Sequence, residues 1–394
     1  MSLVGGGSMR GNLRQFEQRA SRFLSTERTR DDRSVDRVLV IGGAGYIGSV
    51  LCRQLLAGGY SVRVLDALFY GDESLRDVRA DRRFELMWGD SRDIAAVSAA
   101  MQGVQAVIHL GEIVGDPACS LDEDTTLEIN FAATRMVAEM ARSQGIRSFS
   151  YASSCSVYGA SDELLTETSV LNPLSIYARA KIDAERALLG LQSPHFQPLI
   201  LRLATVFGLS PRPRFDLVVN VLAARAAMDG QITINGGAQW RPFVHVSDVA
   251  RLMADCLNKP QSTIGGQVFN VGSNAQNHTI AEIGDLVLRC LPRTTLNVLD
   301  SASNGDHRNY RVSFTKIERV LGFAPRKSVL DGIREVQQAF VDGRIADYRE
   351  RKYHNATMLT PDAVVDAGRP RYGHGPIVID AGASRRPLEH GHVA

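Results

Sequence analysis

Val38-Leu-Val-Ile-Gly-Gly-Ala-Gly-Tyr-Ile-Gly48 decides how this chain folds. Its apolar start reads as a short strand, Gly42, Gly45 and Gly48 give a G-x-x-G-x-x-G turn, and Leu51 and Leu55 carry on as one face of a helix. Glycines without Cβ let the backbone approach a phosphate closely, and the first turn of the helix offers it free N–H groups and a positive dipole end. Gly42, Gly45, Tyr46, Ile47 and Gly48 are therefore candidate contacts for the pyrophosphate of a dinucleotide.

The neighbours of the turn give it weight. Tyr60-Ser-Val-Arg-Val-Leu-Asp66 reads as a second strand, and Asp66 closes it at roughly the 20-residue distance where an acid takes the ribose hydroxyls of a bound dinucleotide. A carboxylate there repels a 2′-phosphate, so NAD is expected rather than NADP.

From residue 37 to 152 strand and helix alternate, with strands predicted at 37–42, 61–65, 84–87, 105–110 and 147–152 and a helix over Leu127 to Gln144. Such alternation predicts an α/β fold, a Rossmann-type doubly wound parallel sheet whose ligand lies at the carboxyl ends of the strands. Those ends supply Asp90 and Ser91 as candidates for the adenine edge, and Leu110 with Gly111 against the cofactor. Residues 36–204 are assigned to this NAD-binding Rossmann domain. Residues 205–345 are assigned to a smaller substrate-binding α/β subdomain, with about 240–262 returning to the first part.

The ends of the chain read differently. Residues 1–35 open with Met1-Ser-Leu-Val-Gly-Gly-Gly-Ser8, an appended leader by its composition, and continue polar and Arg-rich as a flexible extension. From Asp347 apolar periodicity fades and Pro361, Pro370, Pro376 and Pro387 interrupt any element, so 346–394 is a C-terminal extension.

With 394 residues, 44% hydrophobic and 22% charged, the chain can bury a substantial core, and a net charge of +2 without sign clustering argues against nucleic acid or a membrane as partner. Cys52, Cys119, Cys155, Cys256 and Cys290 lie far apart and form no C-x-x-C pair, which disfavours a disulfide framework or a metal site and suits a reducing cytoplasm.

A second group of motifs carries chemistry. Ser150-Tyr-Ala-Ser-Ser-Cys-Ser-Val-Tyr-Gly159 ends one strand, and Tyr177-Ala-Arg-Ala-Lys181 sets a phenol and an ammonium on one helical face. An adjacent ammonium favours the phenolate, and a serine hydroxyl can share its proton, so hydride chemistry is the natural use.

Together the glycine turn, Ser-Ser-x-x-x-Tyr-Gly and Tyr-x-x-x-Lys resemble the extended short-chain dehydrogenase/reductase family over about residues 37 to 340, in particular the nucleotide-sugar epimerases and dehydratases typified by UDP-galactose 4-epimerase. The resemblance implies Ser154 as proton relay, Tyr177 as acid/base and Lys181 on the nicotinamide ribose. It also implies Arg241, from Gln239-Trp-Arg-Pro-Phe-Val-His-Val-Ser-Asp248, as a ligand of the substrate diphosphate, with Arg214 and Arg308 as further candidate phosphate ligands, while Thr205, a candidate substrate contact, stands where the family often has Asn. His245 and Asp248 are expected to be structural. A homodimer through the helices carrying Met136 and Lys181 follows from the same resemblance.

Departures from the pattern bear on the reaction. Family 4,6-dehydratases place Asp-Glu after the catalytic Thr, where this chain has Cys155 and Ser156, so standard 4,6-dehydration is disfavoured. Cys155 is either a small apolar filler or, if a nearby cation lowers its pKa, an acid/base at a ring carbon. The leading expectation is NAD-dependent C4 epimerisation of a nucleotide-diphosphate sugar through a 4-keto intermediate. Alternatives are a dehydratase or C3/C5 epimerase using Cys155, or a keto-sugar reductase.

Overall fold

The computed structural model describes residues 35–299, 308–359 and 377–379. Its main sheet holds β1 (Arg37–Ile41), β2 (Ser61–Asp66), β3 (Phe84–Trp88), β4 (Ala106–His109), β5 (Ser148–Ser154), β6 (Leu199–Leu203), β7 (Val268–Val271) and β8 (Ile377–Ile379). The strands run in the order β7-β6-β5-β4-β1-β2-β3-β8. All neighbours pair parallel except β8, which lies antiparallel on β3 with Val378 opposite Met87.

Apolar residues pointing to both faces dominate β1, β4 and β6, because helices cover both faces and leave no solvated side. Val38, Leu39 and Val40 of β1 are wholly buried, as are Val107 and Ile108 of β4. The helices that matter for the site are α1 (Tyr46–Ala57), α2 (Asp116–Cys119), α3 (Thr134–Ser143), α4 (Ile176–Gly190), α5 (Val218–Asp229), α6 (Val246–Cys256), α7 (Ile280–Cys290) and α8 (Val329–Val341). Strand order reverses between β1 and β4, which opens a crevice at their carboxyl ends.

The helix expected over 127–144 is interrupted. Glu123–Leu127 is α-helical, Glu128–Ala133 is a π-helical segment, and α3 follows. The extra residue turns the buried Asn130 side chain onto the loop after β4, where its Oδ1 accepts the Ile113 N–H at 2.9 Å and its Nδ2 donates to the Ile113 carbonyl at 2.8 Å.

A second apolar cluster holds Phe207, Phe215, Val219, Phe243, Ile333 and Val336. It lies among α5, α7, α8 and a three-stranded sheet in which Trp240–His245 pairs with Thr205–Phe207 and Asn277–Thr279. Trp240–His245 therefore belongs to the smaller sheet, whereas α6 packs on α1, with Gln54 donating to the Ser247 carbonyl at 3.0 Å, and β7 joins the main sheet. His245 bonds Glu335 of α8 at 2.8 Å, and Asp248 accepts the Arg326 and Lys327 N–H groups, both structural uses.

The C-terminal extension contributes elements despite its prolines. Tyr353 stacks edge-on against Phe215 at 5.4 Å, the short helix Asn355–Met358 packs on α2, and the apolar Ile377–Ile379 covers the exposed edge of β3. Residues 1–34 of the N-terminal extension lie outside the described residues.

Candidate active site

At the end of β1 the chain has no room for side chains. Gly42 adopts φ +83°, and a Cβ built on it would stand 2.6 Å from the Gly111 amide nitrogen. One on Gly48 would run into the Gly42 carbonyl, and one on Gly111 would stand 2.8 Å from Ile41 Cγ2. Asp66 completes the turn: its carboxylate accepts the Ala44 and Leu68 N–H groups, each at 2.8 Å. Burial pushes the Asp66 pKa up, against those two hydrogen bonds and the charge of Arg212.

The crevice has two chambers. The narrower is lined by Gly42, Gly45, Asp66, Asp90, Ser91, Leu110 and Gly111, with Tyr70 and Glu112. Asp90 is held by Arg92 at 2.7 Å. The wider offers about 230 Å³ and is lined by Tyr46, Ile47, Gly48, Ser154, Tyr177, Lys181, Thr205, Arg212, Arg214, Arg308 and Asn355 among others. Gly42, Gly45, Tyr70, Leu110 and Glu112 line both, so the chambers meet at the glycine turn.

Ser154 ends β5, and its hydroxyl bonds both the Ser156 N–H at 3.1 Å and the Tyr177 phenol. Tyr177 and Lys181 come from α4, whose N-cap Ser175 accepts the Ala178 N–H at 3.2 Å. The Lys181 ammonium lies 5.6 Å from the Tyr177 ring centroid, donates to the Ala152 carbonyl and pairs with the Glu112 carboxylate.

That pairing corrects the expected electrostatics. Burial, then the charge of Glu112, pushes the Tyr177 phenol well above its ordinary value, where the Tyr-x-x-x-Lys spacing alone had predicted a lowered one. Glu112 takes up the lysine charge, and its own pKa is raised by burial against Lys181 and the Tyr151 hydrogen bond.

The wider chamber is also lined by arginines. Arg214 pairs with Asp216 at 2.6 Å, and Arg308 with Asp116 at 3.0 Å. Arg212, 6% exposed, stacks over Tyr70 at 3.9 Å from the ring centroid, and its Nε and Nη2 have no hydrogen-bond partner among the described residues. Burial lowers its pKa to about 10.

Two candidates stand elsewhere. Cys155 lines neither chamber, because its side chain turns into the core beneath β5, where Sγ donates to the Arg202 carbonyl at 3.3 Å and burial pushes the thiol up. An acid/base role for it is withdrawn. Arg241 lines neither chamber as well: from the central strand of the small sheet it lies over the Tyr310 ring at 5.4 Å and donates to the Trp240 and Arg308 carbonyls. It therefore supports the Arg308–Tyr310 segment instead of entering the cleft.

Sequence reasoning did not select Glu112, Arg212 or Asn355. Arg212 stands two positions before the candidate Arg214 in Ser210-Pro-Arg-Pro-Arg-Phe-Asp216, and Glu112 directly follows Gly111, so both carried a positional signal. Asn355 carried none, lying beyond the last periodic helix.

A parallel sheet with a glycine cradle at its switch point, opening on a Ser-Tyr-Lys group and an arginine-lined chamber, defines a dinucleotide-dependent enzyme. Residues 38–272 match the NAD dependent epimerase/dehydratase family, and the chain belongs to that family. It is 29% identical over 317 residues to the UDP-glucose 4-epimerase of Mycolicibacterium smegmatis, spanning 77% of this chain and 98% of the relative. DesIV, the dTDP-glucose 4,6-dehydratase of Streptomyces venezuelae with NAD and TYD bound, is similar at TM-score 0.69 and 28% identity, over 78% of this chain and 98% of that one. UDP-glucuronic acid 4-epimerase from Bacillus cereus, in complex with UDP-glucuronic acid and NAD, is similar at TM-score 0.68 and 26% identity, over 78% and 99%. The cofactor is NAD. The cradle that any Cβ would fill and the carboxylate of Asp66 beside it fit that group. Among the described residues no helix is long and apolar enough to cross a membrane.

Proposed function

We propose that this enzyme epimerises a nucleotide-diphosphate sugar at C4 through a transient 4-keto sugar. The observation that carries the reading is the meeting of Ser154, Tyr177 and Lys181 with the glycine turn in one chamber that is also lined by Arg212, Arg214 and Arg308.

Gly42, Gly45, Tyr46, Ile47 and Gly48 would hold the NAD pyrophosphate, Asp66 the adenosine ribose, Asp90 and Ser91 the adenine, and Leu110 and Gly111 the surface between them. NAD supplies a hydride acceptor that returns the hydride, so no net oxidation occurs. Tyr177 takes the C4 hydroxyl proton and gives one back, Ser154 relays it, and Lys181 orients the nicotinamide ribose. Arginine forks suit phosphate oxygens, so Arg212, whose Nε and Nη2 have no partner among the described residues, is the diphosphate anchor about which the keto sugar turns, assisted by Arg214, Arg308 and Thr205. Arg241 serves these arginines only through the backbone of Arg308.

Dehydration is the less supported outcome, because Cys155 faces the core and Ser156 is no acid. A homodimer and a cytoplasmic location belong to the same proposal, supported by family resemblance and by five free cysteines.

The test incubates NAD-saturated protein with UDP-glucose, UDP-glucuronic acid and dTDP-glucose and follows the sugar by NMR. Inversion at C4 without net redox change is expected, and Tyr177→Phe should lower turnover by at least about a hundredfold, the range of a lost acid/base. A stable dehydrated ketone would replace the reading with the dehydratase one. Turnover indifferent to Tyr177→Phe would remove the phenol from the reaction.

A further inference from the structure

The family motifs do not account for the carboxylate at the join of the two chambers. Glu112 leaves the end of β4 on a loop pinned by Asn130, and its side chain is 2% exposed although it lines both chambers. One oxygen accepts the Tyr151 hydroxyl at 2.7 Å and the other meets the Lys181 ammonium.

We propose that Glu112 is a positioning residue for the proton transfer: it is the counter-ion of Lys181, and through that ammonium it holds the proton on Tyr177 in the resting cleft. The proposal rests on the roles of Tyr177 and Lys181 given above.

The surroundings leave little else to balance the charges. From the end of β4 comes His109, which bonds the Thr134 hydroxyl at 2.9 Å and which burial and then Lys181 push down to about 3, so that ring is neutral. Tyr151 faces it from β5, Lys181 and Tyr177 from α4, and the Thr134 hydroxyl from α3. From α2 come the Cys119 thiol, which burial keeps protonated with its pKa pushed up to about 12, and Asp116, which is paired with Arg308. Among the described residues Lys181 is thus the one cation paired with this carboxylate, and it also donates to the Ala152 carbonyl. An ammonium so engaged stabilises a neighbouring phenolate less than a free one does. Removing the carboxylate charge hands the full lysine charge to Tyr177.

The experiment titrates the NAD-saturated full chain upward in pH while tyrosinate absorption is followed in the near ultraviolet. Glu112→Gln is compared with the parent, each with and without Tyr177→Phe, so that the difference isolates one ring. Gln keeps an acceptor for Tyr151, and thermal melting checks that the fold is retained. In the Gln variant the Tyr177-dependent signal is expected at least about one pH unit below its place in the parent, since an opposite charge within a few ångström moves a pKa by about one to three units. Coincident signals, or no Tyr177 signal in the Gln variant by about pH 10, would overturn the proposal. The titration needs no substrate: a shifted signal with turnover indifferent to Tyr177→Phe keeps the charge relation and rejects the catalytic reading alone.

Discussion

Gly42 and Gly111 meet backbone against backbone, with space for a methyl group on neither. The carboxyl ends of β1 and β4 can approach this closely only because both turns lack Cβ, and Gly42 also holds φ +83°. Gly42→Ala is expected to lose about 1–3 kcal/mol of stability through strain and overpacking and to weaken NAD binding at least tenfold. Thermal melting and calorimetric titration with NAD measure the two effects. Unchanged NAD affinity would show that the cradle does not hold the cofactor.

Cys155 offers a contrasting case next to Ser154. Its thiol lies in the core and donates to the Arg202 carbonyl, and burial keeps it protonated. Cys155→Ala should therefore cost about 1 kcal/mol of stability, from lost buried surface, and leave kcat within about twofold. A collapse of kcat with the fold intact would return the thiol to the reaction.

What the sequence disclosed depended on how local the determinant was. Gly42, Asp66, Ser154, Tyr177 and Lys181 stand at strand ends or on one helical turn, and periodicity places such positions in phase. The first five strands of the parallel sheet are placed by their apolar residues and flanking turns, β5 despite its alternating Ser-Phe-Ser-Tyr start, whereas β6 and β7 are not among the predicted strands. Glu112 escaped because its meaning comes from Lys181, 69 positions away in sequence and joined only by packing. The Tyr177 environment followed suit: i,i+4 spacing predicts an ammonium beside the phenol, and only the fold shows that a carboxylate has already claimed it. Arg241 misled for a related reason, because a motif fixes residue type while the strand's place in the small sheet fixes where the side chain goes.

Glu335 joins α8 to the start of α6 through His245. Burial works against its charge, but the His245 hydrogen bond and charge, with Lys327, leave its pKa below the ordinary 4.5. A depressed carboxylate adds stability that is full above the unfolded value and lost as pH falls through the folded one. Glu335→Gln should therefore be less stable than the parent at neutral pH, by no more than about 1 kcal/mol given its partial exposure, and the difference should close under acid conditions. Denaturant melts across that range measure it. A gap constant with pH would mean that the charge contributes nothing.

Asn355 reaches the wider chamber from the C-terminal extension. Its Nδ2 donates to the Val114 carbonyl at 3.0 Å, on the same loop as Glu112, while its Oδ1 is buried with no partner among the described residues. A buried acceptor left unmatched carries a desolvation cost that a ligand hydroxyl would relieve. Asn355→Ala removes that acceptor, so KM for the nucleotide sugar is expected to rise about three- to tenfold, the worth of one neutral hydrogen bond, with kcat less affected. Melting temperature should fall slightly, because the Val114 carbonyl loses its donor. Steady-state kinetics on the substrate found by NMR decide the matter: a fall in kcat at constant KM would place Asn355 among the groups that set the reacting geometry, and an unchanged KM and kcat would show that the sugar does not reach it.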